Sequence, residues 1–99
     1  VQPLKEREQL MVTGIVLVNV ERPKLKAVIK ALMAIDGVTE VYTVAGEYDL
    51  VVMVRTSSNS ELSEVVAHQM THNIEGIVHT KTLISLEENA KVDLREVFC

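Results

Sequence analysis

The chain has 99 residues, ten basic against fourteen acidic side chains for a formal charge of −4, 47% apolar residues and 24% charged ones. That composition is globular, and a chain near this length forms one domain that buries roughly 60–70% of its extended surface, an adequate core with little to spare. The acidic balance argues against a binder driven by phosphate contacts, which needs a basic patch, and the longest apolar runs fall well short of the roughly 18 residues of a membrane span.

Residues 1–12, beginning VQPLKEREQLM, are polar and irregular and are expected to form an N-terminal arm. The run VTGIVLVNV then brings six β-branched residues in nine, which favours a strand, placed over 13–20. Glu21-Arg22-Pro23 breaks it, and proline is accepted in a first helical turn because its missing N–H has no partner there. Leu25, Val28, Ile29, Leu32 and Ile35 recur at three and four, with Lys24, Lys26 and Lys30 off the stripe. This spacing predicts an amphipathic helix over 23–35, stopped by Asp36-Gly37.

VTEVYTV (38–44) and YDLVVMVR (48–55) read as strands joined by Ala45-Gly46-Glu47, a connection short enough to demand an antiparallel hairpin. Ser58 and Glu61 have capping-box spacing ahead of a helix over 59–73 with Leu62, Val65, Val66 and Met70 on its stripe. Glu75-Gly76 repeats the helix stop, and IVHTKTLISL (77–86) is the last strand. Ile35-Asp36-Gly37-Val38 recurs as Ile74-Glu75-Gly76-Ile77 at an offset of 39 residues. Two βαβ halves of this kind give an α+β, ferredoxin-like βαββαβ sandwich, a four-stranded antiparallel sheet with two helices on one face. The domain is placed over 13–87. Residues 88–99 form an extension whose Val92, Leu94, Val97 and Phe98 are too apolar for a free tail, and which docks as a helix or an added strand on its own domain or on a neighbour.

Two helices cover one face of such a sheet, and the other face of a monomer should alternate to polar residues. It does not. Ile15 and Leu17 oppose Val16, Val18 and Val20; Val51 and Met53 oppose Leu50, Val52 and Val54; Ile77 and Leu83 oppose Val78, Ile84 and Leu86. The expected cover is the sheet of a second subunit in a two-fold dimer; the alternative is the tail folded back.

Candidate chemistry is sparse. His68 and His72 are four apart, a spacing able to hold a metal, but they lack the glutamate of HExxH and fall off the apolar stripe, so they read as exposed helical histidines. His79 has no acid–base partner by spacing. Cys99, the sole cysteine, rules out an internal disulfide, suits a reducing cytoplasm and lacks a nearby histidine to activate it. No charged-then-apolar leader is visible, so cytoplasmic location is the expectation. Glu47 and Asp49, two apart at the hairpin, form an acid pair or are solvated turn acids. No nucleophile, base and orienting group come together, so neither an enzyme, a metal site nor a cofactor is expected. A small zwitterion suits the hairpin better: Gly46 lets a ligand reach backbone N–H and C=O groups, and Thr43, Thr80 and Thr82 supply short hydroxyls. The competing reading is that Gly46 serves the turn alone.

VYTVAGEYDL (41–50), followed by VVMV, resembles the ligand-sensing RAM domain of the Lrp/AsnC feast/famine transcription regulators. The likeness extends back through VLVNVE (16–21) and DGV (36–38) and forward through EGIVHTKTLISL (75–86). It implies sheet-to-sheet dimers, assembly into an octamer or similar ring, and an amino-acid effector held between dimers. On the matching positions, Ala45, Gly46, Tyr48 and Asp49 correspond to the effector loop: Gly46 leaves room for the ligand, Tyr48 orders the loop or lines the pocket, and Asp49 fixes the turn or takes the amino group. Thr80 and Thr82 face the ligand from a nearby subunit. Family members carry a helix-turn-helix domain ahead of this one, and the dozen residues before the first strand are too few for it. A stand-alone form is therefore expected, without nucleic-acid contact of its own, that modulates transcription, alone or in mixed assembly with full-length Lrp/AsnC regulators. The alternatives are an interaction module without ligand binding and an ACT-like regulatory domain, which shares the βαββαβ order but not the GEYDL hairpin.

Overall fold

The computed structural model describes residues 11–89 and 91. Most of the expected arm and extension, and Cys99, lie outside the described residues. Strand β1 (Val12–Val20) is followed by a 3-10 turn at Arg22–Lys24, with Pro23 in its first positions, and by helix α1 (Leu25–Met33). Strands β2 (Val38–Thr43) and β3 (Leu50–Thr56) form the hairpin. Helix α2 (Asn59–Glu64) runs on as a π-helical segment, Val65–Met70, before β4 (Ile77–Ile84). The sheet order is β2-β3-β1-β4, with all three pairings antiparallel, which is the ferredoxin-like sandwich.

The elements form for the reasons the residues suggest. Ser58 caps α2 by accepting the Glu61 N–H at 3.2 Å, and the Glu61 carboxylate accepts the Ser57 N–H at 3.1 Å. The reciprocal bond reaches one residue beyond the cap and holds the Glu61 carboxyl below its usual range. The two stop glycines take the positive φ expected of them, 98° at Gly37 and 108° at Gly76. The core joins Val16, Val18 and Val20 of β1, Leu50, Val52 and Val54 of β3, Val28 and Leu32 of α1, and Leu62, Val65 and Met70 from α2 and its continuation. One cluster holding both helices and the even-numbered sheet residues places the helices on the same face. Gly14 lets α2 approach: a Cβ there would sit 2.7 Å from a Leu62 methyl carbon.

Three expectations need correction. The second helix is not one α-helix over 59–73. Its last six residues widen to π geometry, with the Thr71 N–H bonded to the Val66 carbonyl at 3.2 Å and the Thr71 hydroxyl bonded to the same oxygen at 2.8 Å. Strand β3 starts at Leu50, because Tyr48 and Asp49 belong to the hairpin connection. The face assignment along β4 is also broken: the β1–β4 register shifts between Asn19 and Val20. Ile77 thereby packs against the helix-side core, whereas Leu83, paired with Ile15, lies on the opposite face.

Among the described residues, the face opposite the helices (the helix-free face) has an apolar centre, a polar rim on β2 and a mixed one on β4. Ile15 and Leu17 of β1 and Val51 and Met53 of β3 occupy the two inner strands, all half-buried. Row partners on the outer strands are Glu40 and Tyr42 of β2 and Leu83 and Lys81 of β4. At the β2 rim, Arg55 bonds Glu40 at 2.7 Å, and the Tyr42 hydroxyl donates to the other oxygen of the same carboxylate. Those two donors, Tyr42 foremost, hold the Glu40 carboxyl below its usual range, and the carboxylate in turn raises the Tyr42 phenol.

Candidate functional site

The hairpin between β2 and β3 is the site the sequence singles out, and it is held by three hydrogen bonds to the end of β1. The Val20 N–H donates to Asp49 Oδ2 at 2.9 Å, the Asp49 N–H donates to the Val18 carbonyl at 2.9 Å, and Asn19 Nδ2 donates to the Glu47 carbonyl at 2.8 Å. The Val44 N–H closes the loop on the Asp49 carbonyl at 2.9 Å. Asp49 therefore fixes the turn with its side chain. A carboxylate accepting a half-buried backbone N–H is worth more than a neutral acceptor, about 1.5–3 kcal/mol. Asn19 is the residue that sequence reasoning missed. The signal was a lone amide at the end of a β-branched run, one strand away from the loop it secures.

Ala45, Gly46 and Glu47 are exposed at the tip, and Tyr48 and Asp49 are half-buried at its base. Gly46 has φ 141°, a backbone setting that L side chains rarely adopt. A Cβ added there would meet nothing within 4 Å. The glycine is thus required by its backbone and not by crowding inside the chain. Among the described residues nothing crowds the outer side of Gly46, which is exposed.

The threonines divide. Thr43, Leu50, Val18 and Thr80 share one row across the sheet, and Thr82 lies two rows further along, with Val16 and Val52. Thr43 is on one edge strand, and Thr80 and Thr82 are on the other, so Thr43 and Thr80 are three strand spacings apart, about 14 Å. One chain therefore brings Ala45, Gly46, Tyr48 and Asp49 together and keeps Thr80 and Thr82 apart from them, on the opposite edge of the sheet. The Glu47–Asp49 pair does not act as a unit, because the Asp49 carboxylate is turned onto Val20. No group of three metal-ligating side chains occurs among the described residues. His68 and His72 are exposed, with ring centres 5.8 Å apart, and Glu64 lies 3.7 Å from His68. A shallow groove of about 440 Å³, lined by Asp36, Arg55, Glu61, Glu64 and Gln69 among others, lies at the far end of the sheet from the hairpin.

Residues 13–92 match the family model described as the Lrp/AsnC ligand binding domain. The chain is 33% identical over 76 residues to the HTH-type transcriptional regulator FL11 of Pyrococcus furiosus, a match covering 77% of this chain and 49% of the regulator. The chain thus spans about half the length of that relative. Among solved structures it is similar to TTHA0845 from Thermus thermophilus, with a TM-score of 0.75 and 32% identity over 81% of this chain and 99% of that one. It also shares the fold of the transcriptional regulator NMB0573 of Neisseria meningitidis, solved as an L-Met complex, with a TM-score of 0.68 and 12% identity over 98% of this chain and 66% of that one. No helix among the described residues is long and apolar enough to cross a membrane.

Proposed function

The chain belongs to the Lrp/AsnC ligand-binding-domain family, and we propose that it is a small-molecule-responsive assembly module whose effector is an amino acid held at the β2–β3 hairpin between copies. The observation that carries this reading is the pairing of a rigid loop with an open backbone: Asp49 and Asn19 lock the hairpin, while Gly46 leaves its peptide groups unscreened. Free N–H and C=O groups recognise a zwitterion's carboxylate and ammonium without a dedicated charged pocket. Thr80 and Thr82, at the opposite edge, contribute hydroxyls from a neighbouring subunit. The L-Met complex of the Neisseria regulator supports an amino acid as the ligand class. In this reading the helix-free face packs against a second copy as a homodimer, dimers join into an octamer or similar ring, and the module modulates transcription through full-length Lrp/AsnC regulators in the cytoplasm, without nucleic-acid contact, membrane attachment, cofactor or catalysis of its own.

Native mass spectrometry across a panel of amino acids, L-Met included, tests it by reporting subunit number and bound ligand together. One amino acid is expected to add its own mass per subunit and to shift the distribution of assemblies. A particle unchanged by every amino acid would replace this reading with that of an interaction module without a ligand. Gly46→Val adds a side chain where the backbone must stay open and is expected to abolish that binding. Because φ 141° also strains a valine, thermal melting accompanies it, and a folded variant that binds as wild type would reject the site.

A further inference from the structure

The helix layer is segregated by charge. Residues 22–35, the 3-10 turn and helix α1, carry Arg22, Lys24, Lys26 and Lys30 and no Asp or Glu. Residues 56–80, around α2, carry Glu61, Glu64 and Glu75 and no Lys or Arg. Both helices cover the same face of the sheet. A basic strip and an acidic strip therefore share one surface of a chain whose formal charge is −4.

The basic strip does nothing for the helix that bears it. The N-terminal end of a helix carries a partial positive charge and favours acids, yet α1 has no acid in its first turn and no side-chain cap. Lys26 and Lys30 are four apart, the spacing at which like charges repel along a helix. Lys24 is neutralised within the fold by Glu21 at 3.2 Å and Glu75 at 2.8 Å. Arg22, Lys26 and Lys30 are exposed, and no carboxylate among the described residues pairs with them. Met33 follows Lys30 by three and so lies on the same face, where it is 50% exposed.

We propose that this face of α1 docks an acidic, amphipathic helical segment of another protein, with carboxylates one turn apart facing Lys26 and Lys30 and an apolar side chain seated on Met33. Charge complementarity calls for an anionic partner, and the layout selects its kind. A nucleic-acid duplex held by its backbone uses phosphate contacts and leaves Met33 unused. Where it overlapped α2, its phosphates would meet Glu61 and Glu64. A single helix, about 10–12 Å across with its side chains, can lie along α1 alone. Carboxylates four apart on it are separated by about 6 Å along the axis, the rise that also separates Lys26 from Lys30. A partner displaced towards α2 brings its acids against like charge, and such repulsion fixes its position across the layer. The proposal does not depend on effector binding or on how copies of the chain assemble.

Fluorescence anisotropy with labelled synthetic peptides tests it. The probe is a peptide of Glu-Ala-Ala-Leu repeats, and the controls are Gln-Ala-Ala-Leu repeats, Lys-Ala-Ala-Leu repeats and a labelled DNA duplex. The chain is expected to bind the Glu peptide more tightly than any control, with an affinity that weakens as salt rises. Lys26→Glu combined with Lys30→Glu should weaken that binding about tenfold and turn the preference to the Lys peptide. Met33→Ala should weaken it roughly threefold and leave its salt dependence unchanged. Because the cations do not serve the helix, the double variant should melt no lower than wild type and keep the wild-type particle mass. Glu and Gln peptides bound alike, or not at all, would overturn the proposal. So would equal Glu-peptide binding by the double variant and wild type. A duplex bound more tightly than the Glu peptide would assign the face to nucleic acid instead. A double variant that melts lower or fails to fold would show that the cations serve the fold, and would overturn the proposal as well.

Discussion

The two faces of the sheet carry similar apolar side chains and meet different fates. Val16, Val18, Leu50, Val52 and Val54 are fully buried beneath the helices. Ile15, Leu17, Val51 and Met53, their alternates on the same two strands, stay half-buried, and no helix among the described residues lies above them. Strands that are apolar on both sides are the mark of a sheet covered on both sides. The chain completes one of these layers by itself. The other has an apolar centre bordered by Glu40, Tyr42, Arg55, Lys81 and Leu83, and the proposed reading covers it with a second copy. A self-sufficient face should respond to substitution through folding, and an unfinished face through association.

The largest effect belongs to the finished face. Leu32→Ala empties a fully buried site between α1 and the sheet and is expected to cost about 2–5 kcal/mol in chemical denaturation. Leu17→Lys on the other face is expected to leave the helical spectrum intact and to lower the particle mass; a loss of folding as deep as that of Leu32→Ala would erase the distinction between the faces. Next comes the contact that seats α2. Gly14→Val drives a side chain into Leu62 and is expected to cost about 1–3 kcal/mol as overpacking, with part regained in the Gly14→Val, Leu62→Ala double variant because the two sites touch. At the hairpin, Asp49→Ala leaves the Val20 N–H without its acceptor and is expected to cost about 1–3 kcal/mol, with Asp49→Asn, which keeps an oxygen there, losing less.

The smallest effect is electrostatic and sits on the rim of the unfinished face. The Glu40 carboxyl is held below its usual range by the Tyr42 hydroxyl and then by Arg55. A depressed carboxyl stabilises the fold above its unfolded value, about pH 4.3, and that contribution is lost as pH falls through the lower folded value. Thermal melts of Glu40→Gln should therefore track wild type less closely at neutral pH and converge with it in acid. The difference is small, since the pair is partly exposed. No convergence in acid would show that the rim contributes by packing alone.

The order of elements and the helix-side core were legible because periodicity reports burial. Leu25, Val28, Ile29, Leu32 and Ile35 face one way at helical spacing, and the structure buries or half-buries all five. The π segment was not legible, because Leu62, Val65, Val66 and Met70 satisfy α and π spacing about equally. The irregularity in β4 was invisible for a related reason. A single displaced residue reverses the parity of those on one side of it, and Val78 looks like any other valine in the strand. At the hairpin, Gly46 and Asp49 were readable as turn-makers from residue type. The bond from Asp49 to Val20 and the one from Asn19 to Glu47 link residues 28 or more positions apart, and they exist only once β1 and β3 are paired.

Sedimentation equilibrium of the unmodified chain at micromolar concentration tests the central claim most directly, namely that Ile15, Leu17, Val51 and Met53 are buried against another copy. The account predicts a mass that is an even multiple of 11.0 kDa. A stable, folded 11.0 kDa particle over the same concentrations would contradict it.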